Sequence, residues 1–222
     1  SNLSWNLKKN NNYWDKNAVK LDTIHYSVQK TPSTAYNLYQ SNKIDAVSLD
    51  AQQTKNLKHQ NGFTLRPGSS TFYLQYNQKN KFLKNANLRR AISLAINRKA
   101  LTNALGGANK PASSLTAAGL TKVEGQDFAD KTKDTDYSQY NPAKAKKLFA
   151  QALKELGTKS VSFTILSDDT DAAQKTTETL QSQIEENLKG AKVSVQNLPF
   201  KTRLSRSTAG NFDIVVAGWG AD

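Results

Sequence analysis

The sequence predicts an α/β fold, and three features carry that prediction. Short apolar-alternating segments trade places with longer segments of helical spacing along the chain. The clearest helices bring their own start and stop signals, Asn141-Pro142 before one and Gly157 after it. Phe212 to Val216 is a nearly continuous apolar run, as in a strand buried on both faces.

Taken in order, Ile24 to Val28 alternates apolar and polar and reads as a strand. Thr31-Pro32 opens a helix with Ala35, Leu38 and Tyr39 as its buried stripe. Ile44 to Leu49 reads as a strand, and Asp50 caps a short helix through Leu57. Phe63 to Leu65 and Thr71 to Asn77 read as two more strands. One helix is predicted over Asn85 to Leu105, with Leu88, Ala91, Ile92, Ala95 and Ile96 on one face and Gly106-Gly107 at its end. Residues 108 to 140, rich in Thr, Ser, Asp, Lys and Gly, form a long surface excursion. The Asn141 helix buries Ala145, Leu148, Phe149, Ala152, Leu153 and Leu156. Val161, Phe163 and Ile165 mark a strand, Asp168 to Thr170 opens a helix through Leu188, and Val193 and Val195 mark the next strand. Strand, helix and strand in that sequence make a right-handed parallel crossover. A short helix near Lys201 to Ser207 precedes the final strand.

Composition narrows the function classes. The chain lacks cysteine, which removes disulfide and thiolate chemistry. His25 and His59 stand far apart without a nearby acidic cluster, so no metal site is expected. There is no G-x-S-x-G elbow and no phosphate-binding glycine loop, and Gly106-Gly107 closes a helix rather than opening one. Asp168, Asp169 and Asp171 read as acids complementing a helix start rather than as a cation site. No enzyme activity and no cofactor are expected. Lys and Arg number 31 against 18 Asp and Glu, a net charge of +13. That balance suits a nucleic-acid binder or an anionic cell surface, yet the lysines are scattered and no reader motif occurs, so a general basic bias is the better reading. The chain has no methionine and stops a few residues past a central strand, so it is expected to be an internal piece of a longer protein.

Several segments carry a more specific signal through their order and spacing. They are Lys9 to Asp15 (KNNNYWD), Leu21-Asp22-Thr23-Ile24, Ser41 to Asp45 (SNKID), Phe72 to Asn77 (FYLQYN), Phe82 with Asn85 to Arg98, Asn141-Pro142-x-x-Ala145-x-x-Leu148, and Phe212 to Asp222 (FDIVVAGWGAD). Together they resemble the peptide (dipeptide/oligopeptide) family of solute-binding proteins that serve ABC importers. The chain departs from that family's pattern in having Asn before Tyr13-Trp14 and Lys81 before Phe82 where Pro is usual, Leu88 for Val and Asn97 for Asp.

The resemblance implies a two-lobed periplasmic-binding-protein-like fold, present in part. Residues 1–72 would belong to a first lobe and 73–222 to a second, with the strand from Thr71 to Asn77 as a hinge crossing and Tyr73, Tyr76 and Asn77 as hinge residues. It also implies an oligopeptide ligand, ABC permease subunits as partners, and no nucleic acid. The expected setting is extracellular, held by a lipid anchor outside this segment, with a free periplasmic form as the alternative. By the same likeness Asp222 would pair with the ligand's amino group, Trp219 would wall a side-chain pocket, Gly220 and Ala221 would admit the ligand backbone, and Phe200 would stand near the pocket. Relatives of this architecture also take nickel complexes, haem, sugars or signalling peptides, and those remain alternatives. Without the resemblance, Trp219 is core filler and Asp222 a turn residue.

Overall fold

The computed structural model describes residues 3–221 apart from 30 and 67. The chain divides into two compact units, residues 1–57 and 58–222. The boundary at 72/73 that the resemblance implies therefore falls inside the larger unit.

The smaller unit begins with a strand the sequence reading missed. β1 (Ser4–Lys8) pairs antiparallel with β2 (Thr23–Ser27). Trp5 faces Tyr26 and Leu7 faces Ile24, so the apolar side chains share one face of the ribbon. The rings of Trp5 and Tyr26 stack at 5.1 Å. On the other face His25 Nδ1 and Asn6 Oδ1 are hydrogen-bonded at 2.6 Å. α1 (Pro32–Gln40) starts as expected: Thr31 Oγ1 accepts from the Thr34 N–H and Pro occupies the first turn. Its expected buried stripe is not formed among the described residues, because Ala35 and Leu38 are only half-buried and Tyr39 is exposed. Ile44 to Leu49 is irregular, not a strand. α2 (Ala51–Leu57) carries a reciprocal cap: the Gln53 N–H donates to Asp50 Oδ1 at 2.7 Å and the Asp50 N–H to Gln53 Oε1 at 3.0 Å.

The larger unit has no strand at Phe63 to Leu65. It opens with β3 (Ser70–Tyr76) and then two helices where the sequence predicted one, α3 (Ala86–Ala95) and α4 (Arg98–Leu105). The break has a local cause. Ile96 is extended (φ −91, ψ 115) and sinks into the core, while Asn97 caps α4 by accepting from the Ala100 N–H at 3.0 Å. The Arg98 guanidinium then donates to the Ser93 carbonyl at the end of α3. Arg89 donates to the carbonyls of Leu83 and Lys84, and Arg90 lies over the Tyr137 ring, so this basic pair works inside the scaffold.

The excursion over residues 108 to 140 holds a small hairpin, β4 (Lys122–Val123) and β5 (Gln126–Asp127), and one turn of helix, α5 (Phe128–Lys131). Ser93 Oγ donates to the Tyr137 carbonyl and fastens its far end. α6 (Pro142–Leu156) is capped by Asn141, whose Oδ1 accepts from the Lys144 N–H, and ends at Gly157 in the left-handed region. β6 (Val161–Asp168) and β7 (Ala191–Leu198) pair in parallel across α7 (Asp171–Asn187). Thr170 caps α7, and Asp168 belongs to the strand, one residue before Asp169 and two before the cap. α8 (Phe200–Thr208) leads to β8 (Ile214–Gly220).

The four long strands form one sheet in the order β3-β8-β6-β7, with β3 antiparallel to β8 and the other pairs parallel. Its core is a single cluster. Leu88, Ala91, Ile92 and Leu94 of α3, Ala145, Phe149 and Ala152 of α6, and Leu180 and Ile184 of α7 pack with Val161, Phe163, Ile165, Val193 and Ile214 of the strands.

Glu155 ties α6 to the start of α3. Its carboxylate accepts from Asn85 Nδ2 at 2.7 Å, Asn87 Nδ2 at 2.9 Å and Gln151 Nε2 at 2.9 Å. The bond from Asn85, then that from Gln151, hold its pKa below the ordinary glutamate value. A group with a depressed folded pKa contributes stability above its unfolded pKa and loses it as pH falls through the folded one. Glu155→Gln is therefore expected to melt below the wild type at pH 7, and the gap should close as the pH drops below the glutamate range. Melting curves across that range check it.

Candidate functional site at the ends of the parallel strands

β6, β7 and β8 run in parallel, so their C-terminal ends share one side of the sheet, where open α/β sheets take ligands. Three sets of side chains stand there. Asp168 ends β6 and grips Arg203 of α8 through two bonds, Nε to Oδ1 at 2.8 Å and Nη2 to Oδ2 at 3.2 Å. Phe200 follows the end of β7 as the first residue of α8, and the Arg203 guanidinium lies 4.9 Å from its ring centroid. Trp219 sits near the end of β8 and is 67% exposed.

Gly218, Trp219 and Gly220 are strand residues, beyond the run from Phe212 to Val216 in which the sequence placed the strand. They pair with Phe72, Thr71 and Ser70 of β3. The exposure of Trp219 also overturns its reading as core filler. Ala221 is exposed and continues the ladder by one bond, its N–H donating to the Ser69 carbonyl. Asp222 lies outside the described residues.

The pairing of β8 is lopsided. On one side it runs against β3 for seven residue pairs, and on the other it meets β6 only at Ile165↔Ile214 and Leu166↔Val215. The Asn77 N–H donates to the Asp213 carbonyl and the Ala221 N–H to the Ser69 carbonyl. In an antiparallel ladder that alternation turns the backbone groups of Val215, Ala217 and Trp219 toward β3 and those of Val216, Gly218 and Gly220 away from it. Among the described residues no strand pairs with that outer edge beyond Val215. Val216 spends its N–H on the Leu166 carbonyl in that last pairing, and the two residues beyond it that present their whole backbone, Gly218 and Gly220, add no side chain of their own.

The hinge candidates lie further along the ribbon. Tyr73 is half-buried opposite Ala217. Tyr76 packs against the core, and burial pushes its hydroxyl pKa well above the ordinary tyrosine value against the pull of Arg98 and Arg89. Asn77 closes the far end, donating from Nδ2 to the carbonyls of Gly210 and Phe212. Beside it lies a cavity of about 360 Å³ lined by Asn77, Asn80, Thr164, Gln196, Arg206 and Asp213. It sits at the end of β8 remote from Trp219.

One residue at the strand ends escaped the sequence reading. Leu204 stands one helical turn after Phe200 and is exposed like it. An apolar pair at that spacing normally signals a buried stripe, so only the structure marks it as surface.

The whole of residues 2–222 matches the family model described as bacterial extracellular solute-binding proteins, family 5, middle. This chain belongs to that family. A family 5 relative from Lactococcus lactis, a dipeptide-binding protein, is 36% identical over 234 residues, covering 100% of this chain and 42% of its own length. The solved structure of Listeria monocytogenes OppA bound to peptide superposes with a TM-score of 0.87 at 35% identity, covering 99% of this chain and 44% of that one. The substrate-binding domain of an oligopeptide ABC transporter from Bacillus anthracis gives 0.85 at 38% identity over 98% of this chain and 43% of that one. The chain thus spans about two fifths of the length of these family 5 relatives, and the partial periplasmic-binding-protein-like α/β fold expected from the sequence is the fold observed.

Proposed function

We propose that this family 5 segment contributes the peptide-holding edge of an ABC importer's receptor, and that the whole protein encloses oligopeptides between two lobes without making or breaking a bond. The observation that carries the reading is the open outer edge of β8. An extended peptide added there bonds to the Val216 carbonyl and to the backbone groups of Gly218 and Gly220, which read no side-chain identity. Trp219, Phe200 and Leu204 offer exposed apolar surface at the same end of the sheet. Asp222 would hold the ligand's amino group. The likeness to a dipeptide-binding protein and to a peptide-bound OppA supports the same reading.

In this proposal residues 1–72 contribute to one lobe and 73–222 to the other, with β3 crossing between them near Tyr73. The firm attachment of Tyr76 and Asn77 to the larger unit fits a crossing strand anchored at that end. The protein delivers its ligand to permease subunits. It works outside the cell, in keeping with the family's description, and is held by a lipid anchor beyond this segment, in keeping with its basic composition.

Calorimetric titration of the full-length protein with free-amine peptides and their N-acetylated twins tests the proposal. Acetylation and Asp222→Ala are each expected to cost about 1.5–3 kcal/mol, roughly 10- to 150-fold in affinity. Trp219→Ala is expected to cost about 2 kcal/mol. Unchanged affinity on acetylation and on Asp222→Ala removes Asp222 from the site. Failure of every peptide to bind overturns the function and turns the search to metal chelates, haem and sugars.

A further inference from the structure

The proposed strand addition has a consequence for which ligand side chains are recognised. Trp219 pairs with Thr71, so its side chain shares a face of the β3–β8 ribbon with Thr71, Tyr73 and Ala217. Phe72 pairs with Gly218 and belongs to the opposite face, the one that Leu74, Tyr76, Ile214 and Val216 turn toward the core further along. Phe72 itself has left that core: it is 72% exposed.

Its ring does not stand upright on β3 but lies across Gly218. A Cβ built on Gly218 would meet three ring carbons at 2.9–3.1 Å, closer than real Cβ atoms approach anything. The absence of a side chain at Gly218 is what lets the phenyl ring lean over β8 toward the open edge. The sheet's end thus offers two large aromatic surfaces, Phe72 on one face and Trp219 on the other, beside one unpaired edge.

A strand that occupies the open lane lies about 4.8 Å from β8, and its side chains alternate between the two faces. We propose that Phe72 is a specificity-determining residue of the peptide site, reading the ligand side chain on the face opposite Trp219. Consecutive ligand residues are then read by different aromatic groups, one by Phe72 and the next by Trp219, and each favours an apolar side chain over a charged one. The proposal rests on the peptide reading above. Its distinctive content is a two-residue apolar preference split between two named side chains.

The test uses the full-length protein and a tetra-alanine host peptide carrying Leu, Phe or Asp at each position in turn. Affinities are measured by calorimetry for the wild type, Phe72→Ala and Trp219→Ala, with melting curves and near-ultraviolet circular dichroism showing that each variant is folded. The wild type is expected to prefer Leu or Phe over Asp at two adjacent positions, by about tenfold or more at each. Phe72→Ala should erase the preference at one of them and Trp219→Ala at its neighbour, and Phe72→Leu should restore part of the first. If Phe72→Ala leaves the preference unchanged at every position, or if both variants erase it at the same position, the assignment of Phe72 is wrong while the peptide reading stands. If the wild type binds none of the peptides, both fall together.

Discussion

Phe149→Ala is expected to lower the stability of the larger unit by about 3–5 kcal/mol, the cost of emptying a buried aromatic site. Phe149 is 4% exposed and sits where α6 meets the sheet, in one cluster with Leu88, Ala91 and Ile92 of α3 and Val161 and Ala191 of the strands. Its ring also reaches the turn into β7, where Gly190 has φ +105 and a Cβ would lie 3.0 Å from the Lys159 carbonyl oxygen. That turn cannot fold inward to fill the gap without strain, so the cavity persists and the loss belongs at the upper part of the range. At roughly 2–4 °C per kcal/mol for a unit of this size, the melting temperature should fall by about 6–20 °C. Urea unfolding followed by circular dichroism measures the free energy directly. A loss under about 1 kcal/mol would mean that α6 is not held by this contact.

The second large effect is expected at Asp213, just before β8. Its carboxylate accepts from Asn80 Nδ2 at 2.6 Å and from the Thr164 N–H at 2.9 Å, tying the turn after β3 to β6 across the start of the strand between them. Asp213→Ala removes two charge-assisted bonds and strands the Thr164 N–H at a part-buried position. The cost should be about 2–4 kcal/mol, since each bond to a charged group is worth ~1.5–3 kcal/mol and water recovers some of it. Asp213→Asn keeps the shape and one acceptor, so it should lose about half as much. Asn77→Ala, which removes the bonds to the carbonyls of Gly210 and Phe212 nearby without touching a charge, serves as the comparison. Equal losses for Asp213→Ala and Asp213→Asn would show that charge is not what the site uses.

The parts of the fold that were legible in the sequence are those whose signals are local. Asn141-Pro142 and Gly157 bound α6 correctly because a cap and a left-handed stop act within one turn of chain. β6, α7 and β7 were legible because Val161, Phe163 and Ile165 and then Leu180 and Ile184 repeat at the periods of a strand and a helix. Ile44 to Leu49 is rich in apolar residues and Phe63 to Leu65 alternates, yet among the described residues neither finds a partner strand. An apolar or alternating pattern states that a segment fits a sheet, not that a sheet is there to receive it. β1 was missed for the converse reason: Ser4–Lys8 alternates as β2 does, but two apolar residues are a weak signal, and its register with β2 supplies the evidence. Ile96 and Asn97 broke a helix that periodicity had joined, because one asparagine side chain competes for the backbone.

The candidate site divides the same way. Trp219, Gly220 and Ala221 could be named from the closing motif, but the strand that the first two form along β3, and the bond by which Ala221 prolongs it, come only from the fold. Phe72 was hidden because an aromatic residue in an alternating strand ordinarily signals burial. Leu204 was hidden because an apolar side chain one turn from another ordinarily marks a packed helix face. Exposure of these residues, visible only in three dimensions, is what separates a surface for recognition from a stripe for packing.

The outer edge of β8 carries a liability along with its use. Exposed edges in stable proteins are usually guarded by lysine, proline or a bulge, devices that keep one chain from zipping onto another. Gly218-Trp219-Gly220 has neither lysine nor proline, and its backbone groups cannot distinguish a nutrient from the strand of a neighbouring molecule. On the proposed reading the edge that takes a ligand strand is left sticky when empty, so ligand occupancy and resistance to self-association become the same physical event.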